Sequence, residues 1–289
     1  MKLIRRAIKV IFPFIVNWKR KLEMNRRLTP HKKLSFEVNL VDHCNLNCIG
    51  CSHFCPIADK NYCRVETLEQ DFKRISEIAN GKIGRVFLLG GEPLLHPDLL
   101  KILDIAGKYF SKFDLGIVTN GILLEKQTDE FWKSCKRNNI KIIMTRYPIN
   151  LPYNKIEKLG KLHAVIVKCF DNNKDENKKM VKVKLNLTGN AKPKQSFSNC
   201  VQANVCVTLD NGKIYTCSVI PTIKYFNKQF KTDLKVCDND YIDIYKEDSL
   251  DAILQFLSQP IPFCRYCDRP YGDCNIDWVR SKKEMSEWV

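Results

Sequence analysis

Leu34–Val41, LSFEVNLV, alternates apolar and polar residues as a half-buried strand does. It runs into Cys44-Asn45-Leu46-Asn47-Cys48-Ile49-Gly50-Cys51, which places three cysteines on one short loop at the spacing C-x3-C-x2-C. Three thiolates so close together can hold three corners of a cubane cluster. A [4Fe–4S] cluster normally takes four Cys, so three leave one iron open to a ligand. The competing reading is a zinc knuckle, whose fourth ligand would come from His43, His53 or Cys55.

Downstream, the pattern repeats strand and helix. Thr67 with Gln70 reads as a capping box opening a helix that carries Leu68, Phe72, Ile75 and Ile78 and stops near Gly81. Arg85–Leu89 is a short buried strand followed by Gly90-Gly91-Glu92-Pro93. Pro97 suits the first position of a helix running to about Phe110. Phe113–Val118 is a strand ending in the turn Thr119-Asn120-Gly121, and a helix follows over about 125–138. Further strands are expected at Ile140–Thr145, Ala164–Phe170 and Val181–Leu187. Such alternation implies right-handed crossovers and a mostly parallel sheet or barrel fragment. Ligands bind at the C-terminal edge of such a sheet, where the Cys loop, the Gly-Gly pair and Thr119–Asn120 all fall. There the glycines would let a ligand approach the backbone, and Glu92 offers a carboxylate to an ammonium group.

The chain has 289 residues, 14 Cys and a net charge of +16. Residues 1–33 hold eleven Lys and Arg against one acid, Glu23, so the excess sits on an N-terminal arm. That distribution argues against a nucleic-acid protein and for an arm meeting an anionic surface. Ile4, Ile8, Ile11, Ile15, Trp18 and Leu22 share one helical face, which can lie on anionic lipid or dock on the protein's own body. Ala7–Val16 is interrupted by Lys9 and Pro13 and makes a poor signal peptide. The thiols are therefore expected in a reducing cytoplasm, peripherally at the inner membrane face, and held for metal.

Taken in order, the Cys triplet after strand one, the GGEP after strand two and the strand–helix alternation resemble the radical S-adenosylmethionine (radical SAM) superfamily over about residues 34–190. The resemblance implies an α/β fold, a partial (β/α)6 TIM-like barrel with a small Cys-rich C-terminal domain over 191–289. It implies a [4Fe–4S] cluster on Cys44, Cys48 and Cys51 that binds S-adenosylmethionine, is reduced by a reductase or a flavodoxin- or ferredoxin-type donor, and yields a 5′-deoxyadenosyl radical. By the same resemblance Gly90, Gly91, Glu92 and Pro93 hold the cofactor's amino group. Thr119, Asn120 and the Thr145–Arg146 pair would meet its ribose and carboxylate. The position before the third cysteine is often aromatic in the family; here it is Gly50, with Phe54 nearby.

A second group of cysteines resembles the auxiliary-cluster (SPASM or twitch-like) extension of such enzymes. Cys200, Cys217, Cys264 and Cys267 are the expected ligands of a second cluster, with Cys206 able to replace one and Cys274 the weakest candidate. A zinc ribbon is the alternative, and either metal would staple a loop-rich tail. Cys135 and Cys169 read as core thiols, and Cys55 and Cys63 as loop residues. His53 is placed near the cofactor. Arg146, Tyr147, Arg265 and Tyr271 are expected to line a substrate site between barrel and tail. Only 33 residues precede the first strand, and they do not suit a leader-binding domain. The expected substrate is accordingly a small molecule, a sugar or sugar-lipid undergoing oxidation or epimerisation. This reading is supported by a further resemblance to radical SAM proteins of surface-polysaccharide biosynthesis. Peptide modification is the alternative, and a non-catalytic zinc or iron–sulfur protein lies outside the enzyme class.

Overall fold

The computed structural model describes residues 22, 24–169, 179–269 and 275–289. Most of the predicted arm, all but the last residue of a polar loop expected at 171–179, Tyr271 and Cys274 lie outside them. Within the described part of the arm, Leu28 packs against Phe197, Cys200 and Ala203. There the Asn204 side chain donates to the Arg27 carbonyl at 2.9 Å. Among the described residues no helix is long and apolar enough to cross a membrane.

Strands β1 (Leu34–Val41), β2 (Ile83–Gly90), β3 (Asp114–Thr119), β4 (Lys141–Met144) and β5 (Val167–Cys169) pair in parallel in that order. Helices α1 (Val65–Ala79), α2 (Leu99–Phe110), α3 (Asp129–Arg137) and α4 (Tyr153–Leu162) connect them. Phe36, Val38 and Leu40 of β1 enter the core beside Phe72 of α1 and Phe110 of α2, whose rings meet edge to face at 5.0 Å. Such burial contributes about 1.5–3 kcal/mol for each large apolar side chain. This is the parallel, helix-covered sheet of a partial TIM-like barrel, as the alternation implies.

Boundaries differ from the sequence reading where local capping competes with packing. Helix α1 opens at Val65, ahead of the expected Thr67, with Arg64 as N-cap and no side-chain cap. Helix α2 starts at Leu99 behind an Asp98 N-cap, leaving Pro97 outside it. Helix α3 is shorter than expected because Thr128 caps it, its hydroxyl accepting from Phe131 N–H. The strand expected at Val181–Leu187 is not in the main sheet. Only its first residue is in β6 (Lys179–Val181), which pairs antiparallel with β10 (Asn275–Asp277), and Leu185 forms an isolated bridge to Cys267.

The flank of β1 away from β2 is taken instead by β7 (Thr208–Asp210), which pairs in parallel with Glu37 and Val38. Antiparallel β8 (Lys213–Tyr215) and β9 (Tyr241–Asp243) extend the same sheet. Helix α5 (Pro193–Asn199) lies in the turn-rich stretch at 189–199. Helices α6 (Val219–Phe230) and α7 (Leu250–Leu257) follow. A second core gathers Phe54, Val219, Phe226, Phe263 and Trp288, and so joins the loop after Cys51 to the C-terminal residues.

Candidate active site

The C-terminal ends of β1 to β4 meet at one edge and surround a cavity of about 190 Å³. Cys44, Cys48 and Cys51 line it, as do Gly90, Gly91, Thr119 and Asn120. Burial pushes the Cys44 thiol up to about 11 and, with Cys51 beside it, the Cys48 thiol up to about 12. The Trp278 and Tyr147 side chains beside Cys48 oppose that push. Cys55 donates to Cys51, so the Cys51 thiol is held low while that of Cys55 is driven up. Among the described residues no group of three or more His, Cys, Asp or Glu side chains is arranged to hold a single metal ion.

The two glycines after β2 serve the protein's own packing. A Cβ on Gly91 would stand 1.9 Å from the His43 carbonyl oxygen, and one on Gly90 2.4 Å from that of Val41. Gly90 also adopts φ +136°, outside the range of L side chains. They let the end of β2 press against the backbone that leads into the Cys loop.

Glu92, expected to face a ligand ammonium, is 0% exposed and absent from the cavity wall, as is Pro93. Its carboxylate accepts from Thr119 Oγ at 2.6 Å, from Asn120 N–H at 2.9 Å and from Leu94 N–H at 3.1 Å. Burial raises its pKa to about 7 against those three donors. The result is a tie between the ends of β2 and β3. Asn120 then donates through its amide to Asn45 Oδ1 at 2.7 Å and to Cys44 Sγ at 3.7 Å. Asn45, unmarked in the sequence reading, thus fixes the first turn of the Cys loop.

At the end of β4, Thr145 and Tyr147 line the cavity and Arg146 does not. Arg146 turns to the opposite side, 3.7 Å from Glu157 and over the Tyr153 ring at 4.8 Å. Alternation along an extended segment sends neighbouring side chains to opposite faces. Phe54 is fully buried in the second core, 5.8 Å from the Trp288 ring. Gly50 adopts φ +59° and packs against the Glu287 carbonyl. Arg265 stacks on its neighbour Tyr266 at 4.6 Å, so its guanidinium is engaged locally.

His53 does line the cavity, and its Nε2 lies 3.7 Å from Glu37 Oε1. Against burial, the Cys51 thiol and the Glu37 carboxylate hold its pKa up to about 10. Glu37 reaches toward the second cysteine group. Thr208 Oγ donates to Glu37 Oε1 at 3.4 Å, and the Glu37 charge helps burial to raise the Cys206 thiol. Cys206 in turn feels Cys217 and Cys200, Cys264 feels Cys217 and Cys200, and Cys267 feels Cys200 and Cys264. Burial is the main cause of the raised pKa of each. The five expected thiols therefore lie in one neighbourhood. Cys63, by contrast, faces His96 Nε2 at 3.7 Å, Cys135 is buried in the core, and Cys237 sits on Asp240 at 3.1 Å.

The donor set suits an iron–sulfur cluster at the first site. Three soft thiol ligands face one cavity, and a bound cation would reverse the upward push that burial exerts on them. Two side chains missed in the sequence, Trp278 and Trp288, come from the C-terminal residues. The Trp288 indole donates to the Cys51 carbonyl at 2.9 Å. No local pattern announces them, because tertiary folding alone brings them to the loop.

Residues 38–164 match the Radical SAM superfamily. GTP 3′,8-cyclase of Clostridium botulinum is 29% identical over 156 residues, covering 47% of this chain and 49% of that protein. The enzyme of the same name from Clostridium perfringens is 30% identical over 154 residues, covering 52% and 44%. The chain thus spans about half the length of the curated relatives it matches. The crystal structure of BtrN in complex with AdoMet and 2-DOIA has the same fold, with a TM-score of 0.50 at 16% identity over 85% of this chain and 100% of that one. This chain carries a radical SAM domain over residues 38–164.

Proposed function

We propose that the protein is a radical SAM enzyme that abstracts hydrogen from a small, hydroxyl-bearing substrate, a sugar or sugar-lipid. The observation that carries the reading is the gathering of Cys44, Cys48 and Cys51 in one cavity with Thr119 and Asn120. When bound there, a [4Fe–4S] cluster supplies the electron that cleaves S-adenosylmethionine and so generates the hydrogen-abstracting group. Cys44, Cys48 and Cys51 hold that cluster. Thr119 and Asn120, clamped by Glu92, and the backbone at Gly90–Gly91 shape the wall against which the cosubstrate rests. Thr145 and Tyr147 close the opposite side.

The substrate reading is supported by the inner face of β1. Phe36, Val38 and Leu40 enter the core, so Glu37 and Asn39 project from the other face. Both are 9% exposed, and Asn39 Oδ1 is buried with no hydrogen-bond partner among the described residues. With His53 they form a set of polar groups between the first cavity and Cys206, suited to the donors and acceptors of a polyol. The relatives named for GTP and the BtrN structure holding 2-DOIA are in keeping with a small substrate. In this reading Cys200, Cys217, Cys264 and Cys267 hold a second cluster, with Cys206 at its edge, that accepts the electron left by a net oxidation. An external reductase, flavodoxin or ferredoxin supplies the first cluster, and residues 1–33 bring the enzyme to the inner membrane face.

Anaerobic reconstitution of the full chain tests the proposal. Bound iron and sulfide, with 5′-deoxyadenosine released on adding dithionite and S-adenosylmethionine, is the expected result. A colourless zinc protein that leaves the cosubstrate intact refutes it. Deuterium transfer into 5′-deoxyadenosine from labelled sugars supports the substrate class, and transfer from peptides alone overturns it.

A further inference from the structure

The C-terminal residues run along the Cys loop. Ile49 N–H donates to the Val279 carbonyl at 2.9 Å, Ser281 N–H to that of Asn47 at 2.8 Å, and Cys48 forms an antiparallel bridge with Arg280. This pairing seats the Trp278 ring beside Cys48, with its centroid 5.7 Å from that of Tyr147. Tyr147 approaches from the end of β4 and lines the cavity with Cys48. The Trp278 indole N–H is buried and has no hydrogen-bond partner among the described residues. A buried donor of this kind calls for an acceptor, and the sulfur of a metal-bound cysteine is a better one than a neutral thiol.

We propose that Trp278 and Tyr147 are positioning residues that donate hydrogen bonds to the Cys48 sulfur in the cluster-loaded protein and thereby set the reduction potential of the first cluster. The inference rests on the reading that Cys44, Cys48 and Cys51 hold a cluster. Its physical basis is charge. Reduction adds one negative charge to a cluster wrapped in thiolates, and a donor aimed at a ligand sulfur stabilises the reduced form more than the oxidised one. Hydrogen bonds to the sulfurs are among the protein's chief controls of such potentials. Tyr147→Phe keeps the ring and removes only its hydroxyl, and Trp278→Phe keeps a smaller aromatic ring in place of the indole, so each removes its donor while an aromatic side chain stays in the site.

The test uses the reconstituted full chain and its Trp278→Phe, Tyr147→Phe and doubly substituted variants. Iron and sulfide are counted first. A potentiometric titration then follows the reduced-cluster EPR signal that S-adenosylmethionine perturbs. The expected result is a shift to more negative potential in each single variant and a larger one in the double variant, at unchanged iron content. An unmoved potential in all three, with the cluster present, overturns the inference and leaves the cluster reading standing. A wild-type chain that binds no iron at the first site overturns both. Should the variants fail to hold iron, the wild type decides. After 15N-tryptophan labelling, hyperfine spectroscopy of its reduced cluster is expected to show a 15N coupling, and absence of any coupling sinks the proposal.

Discussion

The Glu92 carboxylate accepts from the Thr119 hydroxyl at 2.6 Å inside a fully buried pocket, and this bond ties the end of β2 to the end of β3. Through Asn120 and Asn45 the tie continues to Cys44, so the cysteine loop inherits its position from a carboxylate it never touches. Glu92→Gln turns an amide N–H₂ toward groups that already donate. We expect a loss of about 1–3 kcal/mol, the penalty for unmatched buried donors, read as a lower urea midpoint. Thr119→Val, which removes one donor, is expected to lose about 1 kcal/mol.

The same carboxylate makes stability depend on pH. Burial raises Glu92 from its ordinary 4.5 to about 7, so the folded chain retains a proton that the unfolded chain releases. Its favourable contribution is complete below pH 4.5 and disappears as pH climbs toward 7. At roughly 1.4 kcal/mol per pKa unit the difference is on the order of 3 kcal/mol. Urea unfolding of wild type minus Glu92→Gln, measured between pH 5 and 8, is expected to show this downward slope and then a plateau.

Gly91→Ala places a methyl group 1.9 Å from the His43 carbonyl oxygen, which has no side-chain freedom with which to yield. The loop must shift, at a cost of about 1–3 kcal/mol. Iron analysis is expected to find the first site emptied while iron bound by the second cysteine group persists.

Trp288→Ala deletes a fully buried ring that packs on Phe54, Phe226 and Phe230 and hydrogen-bonds the Cys51 carbonyl. A loss of about 3–5 kcal/mol is expected. Trp288→His, which keeps a ring donor in a smaller ring, is expected to fall between Ala and wild type in the same unfolding assay.

Replacing Cys44, Cys48 and Cys51 together by Ala is expected to abolish 5′-deoxyadenosine formation and remove the iron of one cluster. The combined Cys200, Cys217, Cys264 and Cys267 variant is expected to retain cosubstrate cleavage and lose the other cluster's iron. Equal iron in the first variant and in wild type contradicts the assignment.

The barrel half was legible because it is written locally. Alternation in Leu34–Val41 and apolar steps in α1 and α2 are enforced by burial of one face, which a single sequence displays. The triplet Cys44, Cys48 and Cys51 was legible for the same reason, since its members occupy one loop. That Arg146 faces Glu157 and does not line the cavity was not legible, because strand parity at the end of β4 cannot be counted without the strand's exact end. The buried clamp of Glu92 was not legible, because its donors, Thr119 and Asn120, approach from a strand whose register only folding sets. The strand expected at Val181–Leu187 failed because β7 occupies the flank of β1 instead, a competition between distant segments.

Sequence alone determined the chemistry that can occur here: three thiols on one loop, the glycines that follow β2, and the strand–helix alternation that brings both to one sheet edge. Tertiary structure decided how that chemistry is held. It turned Glu92 inward as a clamp, set Glu37 near Cys206, and laid Trp278 and Trp288 against the cysteine loop. Periodicity and spacing are properties of neighbours along the chain, whereas these contacts join residues that only the packing of the whole brings within reach.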